Sequence, residues 1–395
     1  MSRKILFLTG TRADFGKLKP LIRCVDASES FEAAIFVTGM HTLSRYGFTA
    51  DEVYKALPEH RLLDGTRSVY VYHNQVKDEP MERVLASTVE GLSRYVTEFR
   101  PDLIVVHGDR VEALAGAIVG ALRNILVAHI EGGEVSGTVD ELIRHAVTKM
   151  SHTHFVANED ASRRLLQLGE RPENIHIIGS PDIDLMISPS LPQLNEVKRH
   201  YEIPFDDYGV VIFHPVTTDL ADTQRSAHAI VDAVLESGQK HVVIFPNNDE
   251  GCGLIFDAWE RFEGNTNIKV LPSMRVEYFL VLLRNARYLL GNSSAGIREC
   301  PIFGVPAINV SSRQTGRAKS RCVISVQGET NAILTAINHA WRDRSRHEPD
   351  LAFGTGNSAE LFLATIRTDR FWKVSTQKLF NDIGRFDSLQ DGLRQ

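Results

Sequence analysis

Residues 129–145 read HIEGGEVSGTVDELIRH, which gathers four carboxylates, two histidines and an arginine around glycines. Carboxylates crowded together raise one another's proton affinity, and an apolar wall raises it further. One of a pair can then donate a proton near neutral pH while the other stays ionised. The glycines beside Glu131 allow a sharp backbone turn that aims its side chain. Asp140, Arg144 and His145 follow in a helical pattern, where residues four apart share a face. A second acid, Asp109, lies in VVHGDRVEALAG beside His107 and Arg110, just before an alanine-rich helix. It reads either as that helix's N-cap or as the partner of Glu131 in acid–base chemistry. A metal held by His129, Glu131 and Glu134 is the rival, but no further ligand stands at metal-site spacing, so neither metal nor cofactor is expected.

Other stretches suit an anion. TGTRADFGKLKPL places Arg12 at a turn before a helix expected from about Phe15, and exposed N–H groups there favour a phosphate. The alternative is a solvated arginine. VVIFHPVTTD puts His214 directly after a strand, as a base or a phosphate ligand. LLGNSSAGIRECPIFGVPAINV is the sharpest such signal. Ser293 and Ser294 stand where a helix would start, Gly296 permits close backbone approach, and Glu299 is placed to accept hydrogen bonds from a ribose diol. Plain N-capping by serine is the alternative. Beyond it, SSRQTGR offers Arg313 and Arg317 as charges for a diphosphate, or as loop cations.

These residues need a frame that brings strand ends together. Short apolar runs, 5–8, 34–37, 103–106, 125–129, 154–156 and 175–178, alternate with helical patterns, and the rhythm restarts with 210–213, 242–245, 268–271, 288–290 and 307–310. That predicts an α/β fold of two Rossmann-like domains, with parallel sheets facing a central cleft. The expected boundaries are 1–182 for the first domain, 183–366 for the second, and 367–395 for a C-terminal tail that packs back on the first. In such sheets the ligand lies beyond the carboxyl ends of the strands, where every motif above falls.

The chain has 395 residues and a net charge of −6, which argues against a nucleic-acid or anionic-membrane partner. Its four cysteines are scattered without CxxC pairing, as suits reduced, core-filling thiols in a cytoplasmic protein. The apolar run at the N-terminus is too short for a signal peptide and reads as a first strand. No run approaches the roughly 18 apolar residues of a membrane span.

Taken in order, TGTRADFGKLKP, VHGDRVEALA, HIEGGEVSGTVDELIRHAVTKMSH, HPVTTD, IFPNNDEG, GNSSAGIRE, RQTGR and FGTGNSAE resemble the hydrolysing UDP-N-acetylglucosamine 2-epimerase family, from residue 4 to about residue 366. It is the bacterial sialic-acid type, similar to the epimerase half of the bifunctional animal enzyme. The resemblance implies a GT-B-like fold, with UDP held mainly by the second domain, and a homodimer or homotetramer. It implies that Asp109, Glu131, Asp140, Arg144 and His214 form the catalytic site. Arg12, Arg110, Ser293, Ser294, Gly296, Glu299 and Arg313 would contact the nucleotide sugar, with His41 on the sugar side. GSPDIDLM and SMRVEYFLVLL are closer to relatives in legionaminic-acid pathways, whose substrate is UDP-2,4-diacetamido-2,4,6-trideoxyglucose.

The expected reaction eliminates UDP to a glycal and adds water, releasing N-acetylmannosamine. The alternatives are the same reaction on the diacetamido sugar, a non-hydrolysing epimerase, a GT-B glycosyltransferase and a nucleotide-sugar sensor.

Overall fold

The computed structural model describes residues 2–43, 48–57, 62–76, 79–135, 139–216, 219–246, 251–310 and 320–382. The chain divides into two compact units, 1–185 with 354–395, and 186–353. Among the described residues, the first unit holds β1 (Arg3–Thr9), β2 (Phe31–Val37), β3 (Val69–Val71), β4 (Leu103–His107), β5 (Leu126–Ile130), β6 (Thr153–Val156) and β7 (Ile175–Ile177). They form one parallel sheet in the order β3-β2-β1-β4-β5-β6-β7. The second unit holds β8 (Gly209–Ile212), β9 (His241–Ile244), β10 (Ile268–Leu271), β11 (Leu289–Gly291), β12 (Ala307–Val310) and β13 (Val323–Val326). Its sheet is also parallel, ordered β10-β9-β8-β11-β12-β13.

Both strand orders reverse direction once, between β1 and β4 and between β8 and β11, which is where an open α/β sheet leaves a crevice for a ligand. The apolar runs are continuous because both faces are covered. Ile5 and Phe7 of β1 join the core under the helix Arg12–Asp26, whereas Leu6 and Leu8 join the core under Met81–Phe99 and Val111–Leu122. The edge strands β3 and β13 were not anticipated: each is short and only partly buried, so neither carries the apolar run that marks a central strand.

The expected boundaries move at both ends of the second domain: the first unit runs on to Leu185, and the second ends at Phe353. Residues 354–366, assigned by sequence to the second domain, group with the first unit. Phe362, Leu363 and Ile366 of the helix Ser358–Ile366 enter the core that contains Leu18 and Leu21. The Asp184 carboxylate accepts from the backbone N–H of Ser358 (3.0 Å) and of Ala359 (2.8 Å), capping the returning helix. Among the described residues no helix is long and apolar enough to cross a membrane. Cys300 and Cys322 are buried, Cys24 and Cys252 partly so, and all four are free thiols.

Candidate functional site

Glu131 follows β5 directly and is 4% exposed. Its N–H still bonds to Phe155 O of β6 at 2.8 Å, so the sheet ladder holds the residue in place. Its φ of +60° lies in the left-handed region, a conformation that costs a side-chain-bearing residue about 1–3 kcal/mol and collects at functional sites. Gly133, at φ +78°, completes the turn, and a Cβ there would lie 2.4 Å from Ala161 O. Lys17 Nζ lies 2.6 Å and His107 Nε2 3.0 Å from Glu131 Oε2, and Ser180 Oγ donates to Oε1. Lys17 also lies 3.4 Å from Asp182. An ammonium, an imidazole N–H and a hydroxyl on one carboxylate all favour its ionised form.

Asp109 follows Gly108 at the end of β4. It is not the N-cap of the following helix: the cap position is Arg110, without a side-chain bond, while the Asp109 carboxylate accepts from the Arg144 guanidinium. Arg144 is buried on the helix Val139–Met150 and also donates to Glu134 O at 3.0 Å. One turn on, Thr148 Oγ1 lies 3.1 Å from His129 Nδ1, and His129 Nε2 lies 2.9 Å from Gly108 O. A carbonyl only accepts, so Nε2 carries the proton and Nδ1 accepts from the threonine. Burial pushes the His129 imidazolium down to about 3, so the ring is a neutral strut between helix and strand end. That is a structural role, distinct from the rival reading in which His129 would ligate a metal with Glu131 and Glu134. Among the described residues no group of three or more His, Cys, Asp or Glu is arranged to hold a metal.

Asp140 lies exposed in the first turn of the Arg144 helix. The helix expected from about Phe15 begins at Arg12, because Thr11 and Asp14 form a reciprocal capping box. Arg12 is half-exposed and pairs with Glu52 at 2.9 Å. His41 is fully buried, with Nε2 3.0 Å from Thr9 Oγ1 and Nδ1 2.7 Å from Thr49 Oγ1. Burial lowers its proton affinity despite the nearby Asp14, so in this structure it supports the β1 turn rather than presenting a surface to a sugar. Arg110 is exposed at its end and reaches Glu112, whose carboxyl is 1% exposed and pushed up by burial against the pull of Arg110.

In the second unit, His214 lies two residues past β8. Its N–H donates to Asn292 Oδ1 (2.7 Å) and its carbonyl accepts from Asn292 Nδ2 (2.8 Å), so the strand ends carrying His214 and the serine loop are clamped together. Gly291, at φ +133°, makes this approach possible, since a Cβ there would lie 1.9 Å from Ile212 O. Ser293 caps a short 3₁₀ turn, Ser294–Gly296, accepting from Ala295 N at 3.3 Å. Glu299 opens a separate five-residue helix, Glu299–Phe303, so one expected helix is two pieces. Gly296 is buried, with the Ala307 Cβ 3.3 Å from where its own Cβ would be. Arg313 and Arg317 lie outside the described residues.

Lys17 and Ser180 were not anticipated. Ser180 was findable, since it follows β7 as the other site residues follow their strands. Lys17 is one turn beyond the helix start, and its inward direction depends on where that helix begins.

The profile of a family described as UDP-N-acetylglucosamine 2-epimerase matches residues 23–367. A relative from Neisseria meningitidis serogroup B, named UDP-N-acetylglucosamine 2-epimerase, is 46% identical over 96% of this chain and 99% of its own. One from Legionella pneumophila, named UDP-N,N'-diacetylbacillosamine 2-epimerase (hydrolyzing), is 32% identical over 93% of this chain and 96% of its own. A solved UDP-GlcNAc 2-epimerase from Neisseria meningitidis, bound to UDP-GlcNAc, superposes with a TM-score of 0.74 at 19% identity, covering 92% of this chain and 99% of that one. That likeness places the two parallel-sheet units in the GT-B-like fold class.

Proposed function

Since the chain belongs to the UDP-N-acetylglucosamine 2-epimerase family, we propose that it converts UDP-N-acetylglucosamine and water to N-acetylmannosamine and UDP. The observation that carries this reading is Glu131, buried in a left-handed conformation at the carboxyl end of β5 and held there by Lys17, His107 and Ser180. Either Glu131 or Asp109 removes the C2 proton. The electron pair of that C–H bond forms the C1=C2 double bond of a glycal as the C1–O bond breaks, leaving its own pair on the UDP diphosphate. Water then adds its oxygen to C1 and gives up a proton to the second carboxylate, and that group passes the proton on to C2, on the face opposite the one that was deprotonated. Positioned acid–base groups contribute about 10²–10⁴ to such a step.

Lys17, His107 and Ser180 orient Glu131, and Arg144 orients Asp109, so each carboxylate is aimed by its own partners. Asp140 completes this set at the start of the Arg144 helix. The second unit holds UDP: Ser293, Ser294 and Gly296 cradle the diphosphate, Glu299 takes the ribose, and His214 adds a polar contact. The product is the free sugar required for nonulosonic, sialic-type acids. The 46% identity to the Neisseria relative, against 32% to the Legionella one, favours the N-acetylglucosamine substrate over the diacetamido sugar.

The test incubates the purified protein in D₂O with UDP-N-acetylglucosamine and, in parallel, with the 2,4-diacetamido-trideoxy analogue, followed by proton NMR. Free UDP with a C2-deuterated manno sugar is expected, faster from the first. Accumulation of UDP-N-acetylmannosamine without free UDP would instead make it a non-hydrolysing epimerase. UDP binding with no reaction in either tube would point to a transferase or a sensor.

A further inference from the structure

The C-terminal segment after the 3₁₀ turn Phe371–Lys373 crosses the edge of the first sheet away from Glu131. Its side chains there are largely exposed: Leu379 is 72% and Phe380 89% accessible. Lys378 is the exception, for its side chain is turned inward and only 26% exposed. Its ammonium donates to Thr148 O (3.0 Å), to Ser151 O (2.7 Å) and to the buried Glu170 carboxylate (2.5 Å). Thr148 O belongs to the last turn of the Val139–Met150 helix, where it also accepts from Ser151 N–H at 3.2 Å, and Ser151 follows the helix directly; the negative end of the helix dipole there favours a cation. Thr376 O and His152 Nε2, 3.1 Å apart, and Gln377 Nε2 to Asn124 Oδ1, 2.7 Å, hold the strap in register.

The same helix carries Arg144, which holds Asp109, and Thr148, which bonds to His129 and through it to Gly108. The anchor point is therefore one turn from the guanidinium that aims a catalytic carboxylate. We infer that Lys378 is a positioning residue for the proposed epimerase reaction, pinning the C-terminal end of the Val139–Met150 helix so that Arg144 meets Asp109 in register. This rests on the reading given under Proposed function. Lys378 is far from any reacting atom in the chain of contacts and acts only through the helix. Burial pushes its ammonium down from the usual lysine range while Glu170 holds it charged.

The full chain carrying Lys378→Met should lose about tenfold in kcat, since small misplacements of catalytic groups are costly, with KM and UDP affinity within twofold. Lys378→Arg, which keeps a cation for the same acceptors, should retain at least about a third of kcat. In an Arg144→Lys background the methionine substitution should cost less than about twofold, because the route through Arg144 is already cut. An unchanged kcat in Lys378→Met, an arginine variant as impaired as the methionine one, or the same tenfold loss in the Arg144→Lys background would each overturn the inference. A readout independent of turnover is amide hydrogen exchange. Lys378→Met should speed exchange in residues 139–150 and leave 330–342 unchanged, and no change in 139–150 would overturn the inference. If the wild-type protein failed to turn over either sugar, the proposed function would fall, while the exchange result would still decide the role of the strap.

Discussion

Two buried glutamates of the first unit, Glu131 and Glu170, have nearly the same neighbours and sit at opposite edges of one sheet. Glu131 is met by Lys17 and His107, and Glu170 by Lys149, Lys378 and His154. They are 4% and 2% exposed. What separates them is backbone and edge. Glu131 follows β5 at the carboxyl ends of the strands with φ at +60°, whereas Glu170 precedes β7 at the amino edge and is not among the residues of positive φ. A charge cluster alone therefore does not mark a reactive site. On the proposed reading, a left-handed backbone at the ligand edge is the feature that sets the reactive acid apart.

The sharpest test of the contrast is the loss of each charge. Glu131→Gln should lower kcat by at least about 10³ while UDP affinity, measured by calorimetry, stays within a few fold. Glu170→Gln should leave the buried His154 imidazole and the partly exposed Lys149 and Lys378 ammonium groups without their acid and cost about 1.5–3 kcal/mol of stability, read by denaturant unfolding. If the two variants exchanged phenotypes, with Glu131→Gln unfolding the protein and Glu170→Gln folding normally but inactive, the assignment of edges would be reversed.

How much of this was legible beforehand follows from the same contrast. The parallel sheets were readable because β1, β4, β5, β8 and β12 are buried on both faces and so consist mainly of apolar residues that do not alternate with polar ones. Glu131 and Asp109 were readable as candidates because they follow strand ends, Glu131 directly after β5 and Asp109 two residues past β4. Lys17 and Ser180 were not, since their relevance lies in side-chain direction across elements more than a hundred and forty residues apart in sequence for the outermost pair, 17 and 180. The partner of Asp109 is Arg144, rather than the helix N–H groups it was equally placed to cap. Local sequence offered both, and tertiary packing of the Val139–Met150 helix decided. The membership of 354–366 in the first unit depended on Asp184 and on three apolar residues finding a core laid down by residues 5–25.

The two sites should also differ in acid. Burial by itself would raise the Glu170 acid, but the His154 hydrogen bond and the nearby ammonium groups of Lys378 and Lys149 override it and hold the carboxyl well below the usual range. His154 is itself driven down by burial against the pull of Glu170, and Lys149 and Lys378 add positive charge beside the carboxylate. A carboxylate held down in the folded state stabilises the protein fully above its unfolded value, about 4.3, and loses that contribution as pH falls below it. Unfolding free energy should drop by roughly 1–2 kcal/mol more in wild type than in Glu170→Gln between about pH 5 and 3. Parallel curves would mean that Glu170 is not held as the anion.

The smallest effect belongs to the hydroxyl on Glu131. Ser180 donates to Oε1, while Lys17 and His107 both engage Oε2, so the serine helps fix the rotation of the carboxylate about its last bond. Ser180→Ala removes that donor from an acid which keeps its ammonium and its imidazole, and so it should remain ionised but less well aimed. The expected loss is about fivefold in kcat, near the ~1 kcal/mol of one hydrogen bond, with stability unchanged. Ser180→Thr, which keeps the hydroxyl, should recover part of it. A loss as large as that of Glu131→Gln would mean that Ser180 takes part in proton transfer itself. No loss at all would mean that Lys17 and His107 suffice to orient the acid, and that the contrast with Glu170 rests on backbone and edge alone.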